Sequence, residues 1–170
     1  MTDVYGQFLR WSVTESTPAT MEEGNGIQTG AQSRLSGGGF LALEVHNILG
    51  AVSIPTDEPA ANTTEQTIGA LSTRSGLAAI PDLSDEHCIY RTVMTVRAGV
   101  ATYLPQIIIN REMSPFTTFA PPLLVSHKTI YPYVQGSDAG GTAAYFNGYI
   151  FYNYVDIEGA LAVEALEAFR

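Results

Sequence analysis

Lysine is nearly missing from this chain. Lys128 is the only one, and Arg10, Arg34, Arg74, Arg91, Arg97, Arg111 and Arg170 are the remaining bases. Against 17 acids these 8 bases leave a formal net charge of −9. Phosphate neutralisation needs clustered Lys and Arg, and here they are scattered. Strong direct binding of nucleic acid is therefore not expected, and anionic membrane surfaces are disfavoured for the same reason. Cysteine is reduced to Cys88. One thiol excludes an intrachain disulfide framework, and a small buried apolar role is its expected one. No apolar run approaches the ~20 residues of a membrane helix. The opening MTDVYGQFLRW has no charged-then-apolar leader pattern. The expectation is a soluble chain with no membrane insertion.

Recognisable catalytic patterns are missing too. There is no G-x-S-x-G elbow and no Cys with a recognisable His partner. The three histidines, His46, His87 and His127, share no short metal-ligand spacing. Asp82, Asp85 and Glu86 form an acidic cluster without the ordered pattern and central Gly of a calcium loop, so a solvated loop is expected. Asp156 and Glu158 lie two apart, hence on one strand face, as paired carboxylates for glycoside chemistry could. Glu158 equally suits the start of a closing helix, where negative charge is favoured, and that structural role is the expected one. No enzyme activity, cofactor or metal is anticipated. Asn62-Thr63-Thr64 matches a glycosylation sequon, a weak signal without evidence of secretion.

What the chain does have is strand signal. Its 170 residues, 45% hydrophobic, suffice for one domain with a substantial core. Gln7 to Glu15 alternates, with Leu9, Trp11 and Val13 on one face and Phe8, Arg10, Ser12 and Thr14 on the other. Ser16 to Gly39 is loop-like, with a short strand near Ile27 to Ala31. Phe40 to Ile54 is the next strong strand, and Gly50 within it suggests a bulge or bend. Pro55 to Thr64 is a polar excursion, and Gln66 to Thr73 reads as a weaker strand. Cys88 to Arg97 and Val100 to Asn110 form a hairpin-like pair. Arg111 to Pro122, with three prolines, is expected to be a loop.

The last third is the most strand-rich. Leu123 to Gly136 and Thr142 to Glu158 are two long segments rich in Tyr and β-branched residues, read as a hairpin across the SDAGG turn. Gly159 to Phe169 has the residues of a short helix, with Leu161, Ala165, Leu166 and Phe169 near one face. About eight strands with turn signals between them mean a sandwich or barrel. An eight-stranded jelly-roll β-sandwich with a short C-terminal helix, one domain over residues 1–170, matches count and length best.

Charged residues make up only 15% of the chain, against about a quarter in typical domains. Such a depleted surface is expected where copies of the chain cover it, and a secreted β-domain is the alternative with a similar composition. In Thr142 to Glu158, Tyr145, Tyr149 and Phe151 alternate with Phe146, Tyr152 and Tyr154, so both strand faces are aromatic. A strand apolar on both faces is covered on both. A neighbouring copy is the economical cover and a sugar the alternative. The residues expected at a contact between copies are Tyr145, Tyr149, Phe151, Tyr152, Leu161, Leu166 and Phe169.

LLVSHKTIYPYVQGSDAGG and TAAYFNGYIFYNYVDIEGALAVEAL resemble the closing strands of single jelly-roll capsid proteins of small spherical viruses. Upstream, SGGGFLALEVHNI and IGALSTRSGLAAI resemble the earlier strand and loop of that pattern. The resemblance, one of rhythm more than of invariant motif, implies a self-assembling shell subunit in the virion with no enzymatic site. Its partners would be copies of itself and other capsid proteins. One departure stands out: many such proteins carry a basic N-terminal arm, and Met1 to Ser33 holds only Arg10. A glycan-binding β-sandwich, of lectin or tail-fibre type, is the first alternative, and a small hydrolase using Asp156 or Glu158 the second.

Overall fold

The computed structural model of the chain describes residues 7–31, 39–54, 62–97, 116–137 and 143–157. Nine strands run through them: β1 Gln7–Thr14, β2 Glu22–Glu23, β3 Ile27–Gln28, β4 Phe40–Val52, β5 Thr64–Ser72, β6 Cys88–Arg97, β7 Phe116–Val125, β8 Thr129–Gly136 and β9 Tyr145–Ile157. They form two antiparallel sheets in the orders β1-β9-β4-β7 and β2-β8-β5-β6, with β3 also on β8. The protein is an all-β sandwich, and no helix occurs among the described residues.

The pairing is nested. The first strand pairs with the last (β1 with β9), β2 and β3 with β8, β4 with β7, and β5 with β6. Two further ladders, β4 on β9 and β5 on β8, close each sheet. β2 and β3 act as one interrupted strand. Glu23 faces Tyr133 and Ile27 faces Ile130, so one extra residue is taken up around Gly24–Gly26.

Alternation decides which side chains meet between the sheets. Trp11 and Val13 of β1, Leu43, Val45 and Ile48 of β4, and Phe146, Ile150 and Tyr152 of β9 are buried together with Leu71, Tyr90, Ile130 and Val134 of the second sheet. Three rings occupy space that glycines leave open. A Cβ at Gly148 would run into the Leu49 carbonyl and the Trp11 ring, one at Gly50 into Tyr90, and one at Gly69 into Phe146. Tyr90 and Phe146 stack with their planes 5° apart, and Trp11 tilts onto Phe146 at 5.2 Å.

Four expectations are corrected. Leu123 to Gly136 is two strands, because the chain turns at Ser126–Lys128 between β7 and β8. The segment's second half and β9 form no hairpin. β8 pairs in the second sheet and β9 in the first, because the nested order gives the last strand to β1 and β4. Gly50 makes no bulge but leaves room for the Tyr90 ring. The shift on β4 lies earlier, between Val45 and Asn47. Finally, part of Arg111 to Pro122 is strand, since β7 begins at Phe116. Its prolines fit because β7 is an edge strand and Phe119–Pro122 lie at a break in register. Val45 faces Leu123 and Asn47 faces Thr118, so those four residues have no ladder partner on β4.

Trp11, Leu43, Val45 and Ile150 are buried. Ile108 with the Val100 to Asn110 strand, and the helix from Gly159 to Phe169, lie outside the described residues.

Candidate functional site

The strands β1, β4, β7 and β9 carry formal charges only at Arg10, Glu44 and Asp156. Their inner face is filled by the core, so the outer face is what this sheet presents. The register builds it in rows. Phe8, Phe151 and Asn47 lie side by side across β1, β9 and β4, as do Arg10, Tyr149 and Leu49, and Ser12, Asn147 and Ala51. Phe8 is 59% exposed, Tyr145 45% and Leu49 37%. Phe8 meets Tyr149 edge-on at 5.7 Å, and Tyr149 tilts against Phe151 at 6.4 Å. Towards the other end, Phe40, Ala42, Val155 and Ile157 form a small second apolar cluster.

The seven residues expected at a contact are thus divided. Tyr145, Tyr149 and Phe151 share the outer face. Tyr152 points inward and is 5% exposed, within the core. Burial, with a hydrogen bond to Tyr154, pushes its phenol up to about 12. Leu161, Leu166 and Phe169 lie outside the described residues. Phe8 and Leu49 join the outer face unannounced. The signal for Phe8 was present, since alternation put it opposite Trp11. For Leu49 it was hidden, because the shift near His46 reverses which residues of β4 face out.

The acidic and histidine candidates resolve into local structure. The Asp82 carboxylate accepts from the backbone N–H and hydroxyl of Ser84, which holds its pKa below the ordinary range. Asp85 accepts from the backbone N–H of His87. Both are turn-forming contacts. His46 lies 3.4 Å from Glu44 and 3.0 Å from the Asn153 side-chain amide on the outer face. His87 and His127 meet edge-to-face at 6.2 Å, with Thr73 Oγ1 3.1 Å from His87 Nδ1. Among the described residues no three His, Cys, Asp or Glu side chains are grouped to hold a metal. Asp156 is exposed near the end of β9, and Glu158 lies outside the described residues.

A cavity of about 270 Å³ opens where the start of β6 approaches the end of β7. Leu83, Ile89, Phe119, Leu123, Leu124 and Val125 supply its apolar wall; Thr73, Glu86, Cys88 and His127 supply its polar groups. Burial, and then the neighbouring His87, hold His127 below its ordinary pKa, while burial pushes the Cys88 thiol up to about 11. Sequence reasoning did not reach this site, because its residues come from three separate segments that only the sandwich brings together. No known family model matches this chain, and no curated protein is similar to it.

Proposed function

We propose that this chain is a self-assembling shell subunit, a single jelly-roll capsid protein that functions in the virion by packing against copies of itself. The observation that carries the reading is the outer face of the β1-β9-β4-β7 sheet, aromatic along its middle and nearly free of charge. Two copies of a chain at −9 repel each other, so contact is cheapest through a face with few acids. With strands rising ~3.3 Å per residue and ~4.8 Å apart, that face covers roughly 700 Å². A stable interface buries about 800 Å² per partner.

The strand order supports the jelly-roll part of the reading. With β2 and β3 counted as one strand, eight strands pair first with last and inward from there, across two sheets of four. An eight-stranded double Greek key has two such sheets. Other capsid proteins are possible partners in the shell, and no cofactor is needed for packing.

The test is size-exclusion chromatography with negative-stain microscopy on the parent and on Phe8→Ser with Tyr149→Ser. Burying one large aromatic is worth roughly 1.5–3 kcal/mol. The parent should form closed shells or large rings, and the double variant should stay folded while losing them. A parent that remains monomeric at high concentration overturns the reading. Should that monomer bind a glycan array through the same face, the aromatic platform beside Ser12 and Asn147 is a carbohydrate site instead.

A further inference from the structure

The register of the first sheet places its two outward charges symmetrically about one aromatic residue. Alternation puts Arg10 of β1 on the outer face beside Tyr149, and turns Asp156 of β9 to the side of Tyr152, away from it. Glu44 reaches the outer face because of the shift between Val45 and Asn47, across which odd and even positions of β4 exchange sides. β9 runs between β1 and β4. Arg10 is level with Tyr149 on one side of it, and Glu44 is level with Asn153 on the other. Tyr149 and Asn153 lie two residues from Phe151 in opposite directions, so Phe151 is the midpoint between the charges. With a rise of ~3.3 Å per residue and strands ~4.8 Å apart, each charge stands roughly 8 Å from that midpoint.

Both side chains have capacity for a further partner. Arg10 is exposed and forms no ion pair among the described residues. Glu44, its side chain 36% exposed, has Oε2 3.4 Å from His46. A carboxylate has further acceptor sites, which match the fork of a guanidinium. Phe8, Tyr149 and Phe151 lie between the two charges, an apolar centre with polar groups towards its rim.

Charges placed this way are complementary to a second copy of the same face. Consider an axis in the plane of contact, passing over Phe151 and perpendicular to the line from Arg10 to Glu44. A half-turn about it exchanges the positions of those two residues. The copy laid face to face by that rotation sets its Glu44 over Arg10 and its Arg10 over Glu44, the reciprocity of an isologous contact. Phe151 faces its own copy across the axis, with the Phe8 of each copy beside it. We infer that the outer face pairs with that of a second copy about a two-fold axis over Phe151, held in register by two identical contacts between Arg10 and Glu44. The inference rests on the proposed contact through this face and specifies its geometry. An isologous contact closes at two copies, so a shell would be built from such pairs through further contacts.

Sedimentation velocity of the full chain across a dilution series measures the pair. Arg10→Glu opposes two acids at both contacts, and Glu44→Arg opposes two bases. Each variant alone should associate about a hundredfold more weakly, because opposed like charges are strongly unfavourable. Mixed one to one, the two should recover the parent's association, since every acid then meets a base. Phe151→Cys with Cys88→Ser tests the axis. Face-to-face sheets stand about 10 Å apart, so a short bismaleimide should link this variant to itself. It should not link Ser12→Cys in the same background, because Ser12 lies beyond Arg10, far from the axis. Should a charge variant fail to fold, the cross-link decides alone. Failure of the mixture to recover, or equal linking of Ser12→Cys, overturns the two-fold. If the charge variants associate like the parent while Phe8→Ser with Tyr149→Ser does not, the inference is overturned and the contact face stands. A parent that forms pairs and nothing larger supports the inference and overturns the shell reading. A parent that stays monomeric overturns both.

Discussion

Glu15 is 4% exposed, yet its charge is accommodated. Its carboxylate accepts from the backbone N–H of Gly136 at 2.6 Å and of Ala144 at 2.8 Å. Removing it leaves two donors unsatisfied, and hydrogen bonds to a charged group contribute about 1.5–3 kcal/mol. Glu15→Ala should therefore lower unfolding free energy by about 3 kcal/mol in urea titration, and Glu15→Gln by less. Gly148 is a second sensitive position. Gly148→Ala drives a methyl group into the Leu49 carbonyl and the Trp11 ring. An overpacking loss of about 1–3 kcal/mol is expected, read by the same titration. His127 carries the pH dependence. Its folded pKa lies below the ordinary 6.5, so the unfolded chain binds the proton more readily. The stability it contributes is complete above the unfolded value and is lost as pH falls from 6.5 through the folded pKa. Urea midpoints at pH 7.5 and 5.5 should differ more for the parent than for His127→Gln.

At the scale of elements, alternation made β1 and β9 legible. Trp11, Val13, Phe146 and Ile150 face the core as their spacing requires. What the sequence hid were events between strands. Two prolines in Arg111 to Pro122 sit inside β7, because an edge strand with a break in register does not need their N–H groups. The turn at Ser126–Lys128 carries neither Gly nor Pro. Its connection runs from one sheet to the other, so it lacks the signature of a tight hairpin turn. Tyr149 and Tyr152 looked alike as residues, but the structure sends them to opposite faces. Substituting each with Ser separates the two roles. Tyr152→Ser should cost about 3–5 kcal/mol of stability by opening the core. Tyr149→Ser should leave the urea midpoint close to the parent's and act on association. Equal destabilisation by both would mean that the outer aromatic row supports the fold itself.

For the whole molecule, the nested order joins residues far apart in sequence, with Gln7 beside Tyr152 and Phe40 beside Ile157. Closing such loops precedes any gain from the contacts, so refolding should fall in the millisecond-to-second range of sandwich proteins. Stopped-flow fluorescence of Trp11, the chain's only tryptophan and a core residue, reports it directly. The net charge of −9 acts at this scale as well. Binding to random DNA or RNA should be weak near 150 mM salt, as filter binding would register, because affinity follows the cations a protein supplies. Tight, steeply salt-dependent binding would reveal a basic patch assembled from the scattered arginines.

On one side the two sheets are fastened to each other by side-chain hydrogen bonds. Glu15 reaches from the end of β1 to Gly136 of β8, Ser16 bonds Glu22, and the Tyr154 hydroxyl donates to the carbonyl of Thr29, all on the side of β1, β2 and β3. The cavity lies on the opposite side, between β6 and β7. The bonds on the β1 side act like the spine of a book, and each must break before the two leaves can part there. The backbone amides of Gly136 and Ala144, which Glu15 holds, should then exchange with deuterium sooner in Glu15→Ala than in the parent.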